Sequence, residues 1–115
     1  MTTAKKILIR LVILIAGIFL AGLIVPGVNV ESYGAGIKAA VLLGLLNLFI
    51  KPVLFILTLP ITLLTLGLFT LVINGFMVWL VGYLVTGFAV SGFLAAVAAS
   101  VVISILSLIL NRFAD

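Results

Sequence analysis

Two carboxylates, Glu31 and Asp115, are all the acid this 115-residue chain carries, and it has neither histidine nor cysteine. General acid–base catalysis draws on histidine, or on paired carboxylates whose pKa values are held apart. Zinc and most transition metals need several Cys, His or carboxylate ligands together. Neither inventory is present, and the serine and threonine hydroxyls have no base beside them to make them nucleophiles. The expectation is a protein that is not an enzyme, with no catalytic residue, no metal, no cofactor and no evident small-molecule substrate.

What polar chemistry remains is amide and ammonium: Asn47, Lys51 and Asn74, each set in or beside a long apolar run. An amide in hydrocarbon seeks a partner, and an interhelical hydrogen bond there is worth roughly 0.6–2 kcal/mol. A lysine well inside the slab costs about 2.5–3.5 kcal/mol on an insertion scale before snorkelling reduces it. Two readings of these groups stay open. In the commoner one the amides tie the second and third spans together; in the other, with Thr70, Lys51 and the threonines between 53 and 66, they line a wet path.

The elements that must carry these groups are membrane helices. Apolar residues make up 67% of the chain and charged residues 7%, against roughly 45–50% and about 25% in a soluble domain. A domain this small cannot hide that excess, so lipid must cover it. Runs at 7–25, 35–51, 67–85 and 91–110 each approach the roughly 20 residues a spanning helix needs. The first run follows Lys5 and Lys6 as a signal peptide would, but it is long enough to span and no small-x-small site precedes Pro26, so it is expected to be retained.

The sequence also matches itself at an offset of sixty residues. Leu11-Val12-Ile13 falls on Leu71-Val72-Ile73, Leu20-Ala21-Gly22 on Leu80-Val81-Gly82, and Val25-Pro26-Gly27 on Val85-Thr86-Gly87. In the second helices Ala35, Ala39, Val41, Leu46 and Leu48 fall on Ala95, Ala99, Val101, Leu106 and Leu108. Such self-similarity is the mark of an internal repeat. The expected fold is a single all-α integral membrane domain over 1–115. Its four transmembrane helices form two helical hairpins in parallel orientation, because each hairpin crosses twice. The apolar linker at 52–66, with Pro52 and Pro60, is then a loop on the cytoplasmic side, re-entrant or interfacial. The rival extends the second and third helices into one long hairpin turning at Pro60, which would leave Lys51 inside the slab.

Lys5, Lys6 and Arg10 before the first span, Lys51 after the second and Arg112 after the fourth share one face, which the positive-inside rule assigns to the cytoplasm. Both termini are expected there. Glu31 and Lys38 fall on the other face, with Trp79, Tyr83 and Tyr33 as interfacial anchors. The six cations are scattered between apolar runs, which argues against nucleic-acid binding and for the bilayer as partner. Small residues recur every fourth position, as Gly36, Ala40 and Gly44 and again as Ala96, Ser100 and Ser104. A stripe of this kind lets helix backbones approach closely. The expected use is packing of the two hairpins within one chain; the alternative is a homo-oligomer surface.

The centre of the chain resembles a known signature. Asn47-Leu48-Phe49-Ile50-Lys51-Pro52 is followed by Leu57-Thr58-Leu59-Pro60-Ile61-Thr62-Leu63-Leu64-Thr65-Leu66-Gly67-Leu68-Phe69 and then Val72-Ile73-Asn74. This is similar to the four-transmembrane phage-holin-like family, the mycobacterial phage holin superfamily IV with its YvlD-type bacterial relatives. The motif positions are Asn47, Lys51, Pro52, Pro60, Thr65, Gly67, Leu68 and Asn74, and Gly87-Phe88-Ala89-Val90-Ser91-Gly92-Phe93 looks like the family's outer turn. The resemblance implies a multi-pass protein of the bacterial cytoplasmic (inner) membrane. It implies either a non-enzymatic structural or envelope-associated protein, the reading expected here, or a holin-type oligomeric pore former that permeabilises that membrane.

Overall fold

The Thr2 hydroxyl accepts a hydrogen bond from the Lys5 amide at 3.3 Å and so caps the first helix. In the computed structural model, which describes residues 2–65 and 67–114, this helix α1 runs Thr3–Ile24. After it come strand β1 (Val28–Val30), α2 (Tyr33–Phe49), α3 (Lys51–Leu57), α4 (Leu59–Leu64), α5 (Phe69–Leu84), strand β2 (Phe88–Val90) and α6 (Phe93–Ala114). Leu66, at the end of the expected linker, and the carboxylate residue Asp115 lie outside the described residues.

The four long helices form a ring in which α1 lies between α2 and α6, and α5 closes it by packing on α6 and α2. Ile18, Met77, Val78, Val81 and Phe88 are wholly enclosed at its centre. The outward faces are as apolar as the core: Leu23, Leu64 and Leu94 are each more than four-fifths exposed. Surface of that kind belongs against lipid. Helices α1 and α6 are each long and apolar enough to cross a membrane alone. Helices α2 and α3 together reach that length as a pair bent by 42°, and α5 is a shorter apolar helix.

One end of the ring is tied by a two-stranded antiparallel ribbon that the sequence did not announce. Val28 pairs with Val90, Asn29 with Ala89 and Val30 with Phe88. The Glu31 amide donates to the Gly87 carbonyl and the Ser91 amide to the Gly27 carbonyl, both at 2.8 Å. Each strand is launched by a tight turn, with the Val28 amide donating to the Val25 carbonyl and the Phe88 amide to the Val85 carbonyl. Gly27 and Gly87 hold φ of +92° and +94° at the third position of these turns, where a type II turn requires a residue that tolerates positive φ. Residues sixty apart therefore do the same work at this end. The same offset relates two aromatic pairs, Phe19 with Tyr33 at 5.8 Å and Trp79 with Phe93 at 5.9 Å between ring centroids.

At the opposite end the expected loop at 52–66 proves to be mostly helical. Pro52 has no N–H to give the Leu48 carbonyl, so the ladder breaks at Ile50 and the chain bends into α3. Pro60 does the same in the first turn of α4. Both prolines stand in the first turn of a short helix. The linker threonines turn inward on their own backbone: Thr58 donates to the Leu54 carbonyl at 2.7 Å, Thr62 to that of Thr58 at 3.1 Å, and Thr65 to that of Ile61 at 3.0 Å.

Candidate functional site

Helix lengths create the site. Helices α1 and α6 have 22 residues each, α2 has 17 and α5 has 16. All four start or finish at the ribbon, so the difference falls at the other end. There α2 and α5 stop about 8 Å short of their neighbours at 1.5 Å per residue. The chain leaves through α3, bent by 42° from α2, and α4, and a cavity of about 580 Å³ remains between the ends of the long helices.

The lining follows helical spacing. Helix α1 supplies Lys6, Arg10 and Leu14, and α6 supplies Ser100, Ser104, Ser107 and Asn111, in each case one face read at intervals of three or four residues. Helix α2 contributes Leu43 and Asn47, α3 contributes Lys51, and α5 contributes Asn74 and Val78. Lys6, Arg10 and Asn111 at the mouth are exposed, whereas Ser100, Leu14 and Val78 at the floor are buried. Beyond that floor the core of Ile18, Ala21, Ala39, Val81 and Phe88 is closed up to the ribbon. The cavity is thus open at one end and blind at the other.

Among the described residues, three cations and three amides line it and no carboxylate does. Glu31, the acid among the described residues, stands exposed next to the ribbon at the far end of the bundle. The Ser100 and Ser107 hydroxyls donate to the Val97 and Ile103 carbonyls at 2.7 and 2.8 Å, which leaves their lone pairs toward the cavity. Among the described residues no buried side-chain nitrogen or oxygen lacks a partner. Asn47 and Asn74 are only partly buried, and their amides are reached from the cavity.

Asn47, Lys51 and Asn74, picked out as the polar residues of the spans, are thus brought to one place. The threonines grouped with them are not: their hydroxyls are taken up by helix carbonyls, and Thr70 is absent from the lining. The small-residue ladder divides. Gly36, Ala40 and Ala96 are buried between helices, with the Phe19 ring lying where a Gly36 side chain would begin. Gly44 sits against Leu14, while Ser100 and Ser104 line the cavity. Of the other motif positions, Pro52 and Pro60 start the short helices, Thr65 accepts from the Phe69 amide, and Gly67 turns the chain at φ +89° before exposed Leu68. Asn111 and Arg10 are lining residues that sequence reading passed over as site residues. The signal for Asn111 was the spacing of Ser100, Ser104, Ser107 and Asn111 along one face.

The family model described as mycobacterial 4 TMS phage holin, superfamily IV, matches residues 5–109. The uncharacterized membrane protein YvlD of Bacillus subtilis is 38% identical over 89 residues, covering 76% of this chain and 75% of that protein. An uncharacterized protein of Streptomyces coelicolor is 43% identical over 81 residues, covering 67% of this chain and 65% of that protein. No solved structure matches.

Proposed function

The chain belongs to the mycobacterial 4 TMS phage holin family, superfamily IV, and from that premise we propose a non-lytic, non-enzymatic protein of the bacterial cytoplasmic membrane with a structural or envelope-associated role. It crosses the bilayer four times, through α1, α2, α5 and α6, as two parallel hairpins. Helix α5 at 16 residues is about 24 Å long. The turn at Gly67 and the ribbon extend it toward the roughly 30 Å of hydrocarbon. Both termini and the mouth of the cavity face the cytoplasm, since five of the six cations lie at that end.

The observation that carries the non-lytic reading is the blind cavity. Polar lining ends at Ser100 and Asn74, and between them and the ribbon stand fully buried apolar side chains. A lone chain of this form offers ions no continuous path. The ladder residues Gly36, Ala40 and Ala96 are also taken up in packing within the chain, which leaves no small-residue stripe of that set for assembly. The rival is a holin-type oligomeric pore former, which would require chains to assemble through their lipid-facing surfaces.

Induced expression followed with a potential-sensitive dye separates the two. Sustained membrane potential and growth at high expression is the expected result. An abrupt collapse of potential after a delay would overturn the non-lytic reading, because threshold behaviour is what lateral assembly produces.

A further inference from the structure

Among the described residues, every charged side chain that lines the cavity is a cation. From Lys6, Arg10, Lys51 and the amides of Asn47, Asn74 and Asn111 around one 580 Å³ space, we propose that it is a binding site for a phosphate-bearing anion, presented as the headgroup of an anionic phospholipid of the cytoplasmic leaflet. The inference rests on the orientation proposed above.

The chemistry selects the ligand class. An anion entering among the described lining residues meets Lys6, Arg10 and Lys51, all of opposite charge. Three ammonium or guanidinium groups converging from α1 and α3 repel one another when the site is empty, and an anion relieves that repulsion. Arg10 offers the planar fork that matches two oxygens of a phosphate, while the two lysines act as point charges. The amide N–H groups of the asparagines add donors. No aromatic side chain lines the cavity, so nothing is present to stack a nucleotide base. Its volume lies within the roughly 300–1,000 Å³ of small-molecule sites, enough for a glycerophosphate headgroup.

The location selects the source. Basic pockets between transmembrane helices on the cytoplasmic side are where anionic headgroups are captured. On this rim Leu108 lines the opening while remaining 71% exposed. It gives acyl chains an apolar surface to follow while the headgroup turns inward. A free phosphate ester shares the recognition chemistry but gains nothing from that surface.

The test uses the full chain in detergent, titrated with phosphatidylglycerol or phosphatidylcholine in mixed micelles, and separately with inorganic phosphate and glycerol 3-phosphate. Binding is read by native mass spectrometry and by thermal stability. Phosphatidylglycerol is expected to bind in preference to phosphatidylcholine. Arg10→Gln and Lys51→Gln should each weaken it tenfold or more, and Lys51→Arg should retain it. Lys38→Gln removes an exposed cation outside the cavity and should leave binding unchanged. Near-native fluorescence of Trp79 would show that the weakened variants are folded. Equal binding of both lipids, or equal loss in the Lys38 variant, would overturn the proposal, since either means nonspecific adsorption. Tight binding of inorganic phosphate without preference for the lipid would overturn the lipid source. Loss of membrane potential on expression would defeat the non-lytic reading and leave this binding result standing, whereas reversed labelling of the termini would overturn the cytoplasmic leaflet as the source of the lipid.

Discussion

Four glycines allow the backbone and packing contributions to stability to be taken apart. Gly34, in the first turn of α2, has ordinary φ and no atom nearer a would-be Cβ than the Ser32 hydroxyl at 3.9 Å. Gly67 has φ of +89° and nothing within 4 Å. Gly87 has φ of +94° and would bring its Cβ to 2.8 Å from that of Ala35. Gly36 has helical φ but faces the Phe19 ring. Alanine at Gly34 should stabilise by about 0.4–1 kcal/mol, through the entropy of the unfolded chain. At Gly67 the left-handed backbone alone costs an L-residue about 1–2 kcal/mol. At Gly87 the same strain is joined by overpacking of about 1–3 kcal/mol, for a total of about 2–5 kcal/mol. That is roughly 30-fold to several-thousand-fold in the folding constant, at tenfold per 1.4 kcal/mol. Gly36→Ala should fall between, since overpacking is partly offset by helix propensity. The single tryptophan makes the assay direct. Trp79 packs edge-on to Phe93 and Tyr83 at 5.9 and 6.2 Å, so its fluorescence during unfolding in mixed micelles reports the α5–α6 contact. Gly87→Ala no worse than Gly67→Ala would refute the claim that the ribbon end is closely packed. Damage from Gly34→Ala equal to that from Gly87→Ala would refute the separation of the two terms.

Cysteines placed singly at Thr3, Phe113, Glu31 and Thr86 in this cysteine-free chain should be labelled by an impermeant thiol reagent on intact cells only at Glu31 and Thr86; the opposite pattern would reverse the topology. Pro52→Ala restores an N–H for the Leu48 carbonyl and should relax the 42° bend, seen as a changed distance between spin labels at Leu45 and Leu57; an unaltered distance would mean that tertiary packing and not the proline sets the bend. A double-mutant cycle on Trp79 and Phe93 should give a coupling of about 0.5–1.5 kcal/mol, and the Phe19–Tyr33 pair a similar value. Coupling in one pair alone would break the correspondence between positions sixty residues apart.

What was legible in the sequence was whatever depends on composition and local pattern. The lipid-facing character followed from 67% apolar content, and the sixty-residue offset already set Gly27 beside Gly87. Asn47, Lys51 and Asn74 stood out because amides and ammonium groups are costly in hydrocarbon, and they do meet in one cavity. Three-residue strands escaped notice, since Val28–Val30 and Phe88–Val90 are too short for alternation to separate them from a turn. The linker threonines belonged to the less common of two open readings, the wet path. A threonine in a helix can satisfy its hydroxyl on a carbonyl three or four residues back, and that local bond takes up the hydroxyls of Thr58, Thr62 and Thr65.

The cavity could not be read from the sequence because it is a difference between helices and belongs to none of them. Its depth depends on where α2 and α5 stop relative to α1 and α6, and those stops are set by Pro52 and by the turn at Gly67, not by hydrophobicity, which runs on unbroken through both. Once the stops are fixed, the polar face of α6 acquires its meaning. Ser100 and Ser104 have the spacing of a packing ladder, and in a bundle of four equal helices they would be one. Because α2 and α5 stop short, the same two serines, with Ser107 and Asn111 after them, line an open polar wall facing Arg10 and Lys51. Lengthening the short helices should therefore abolish the site although every lining side chain is kept in the chain. Two alanines inserted after Asn47 and two before Phe69 would carry α2 and α5 about 3 Å further at 1.5 Å per residue. The expected result is loss of the phosphatidylglycerol preference in a chain that still folds. Retained preference would show that the charges alone, and not the enclosed space that unequal helix lengths create, hold the anion.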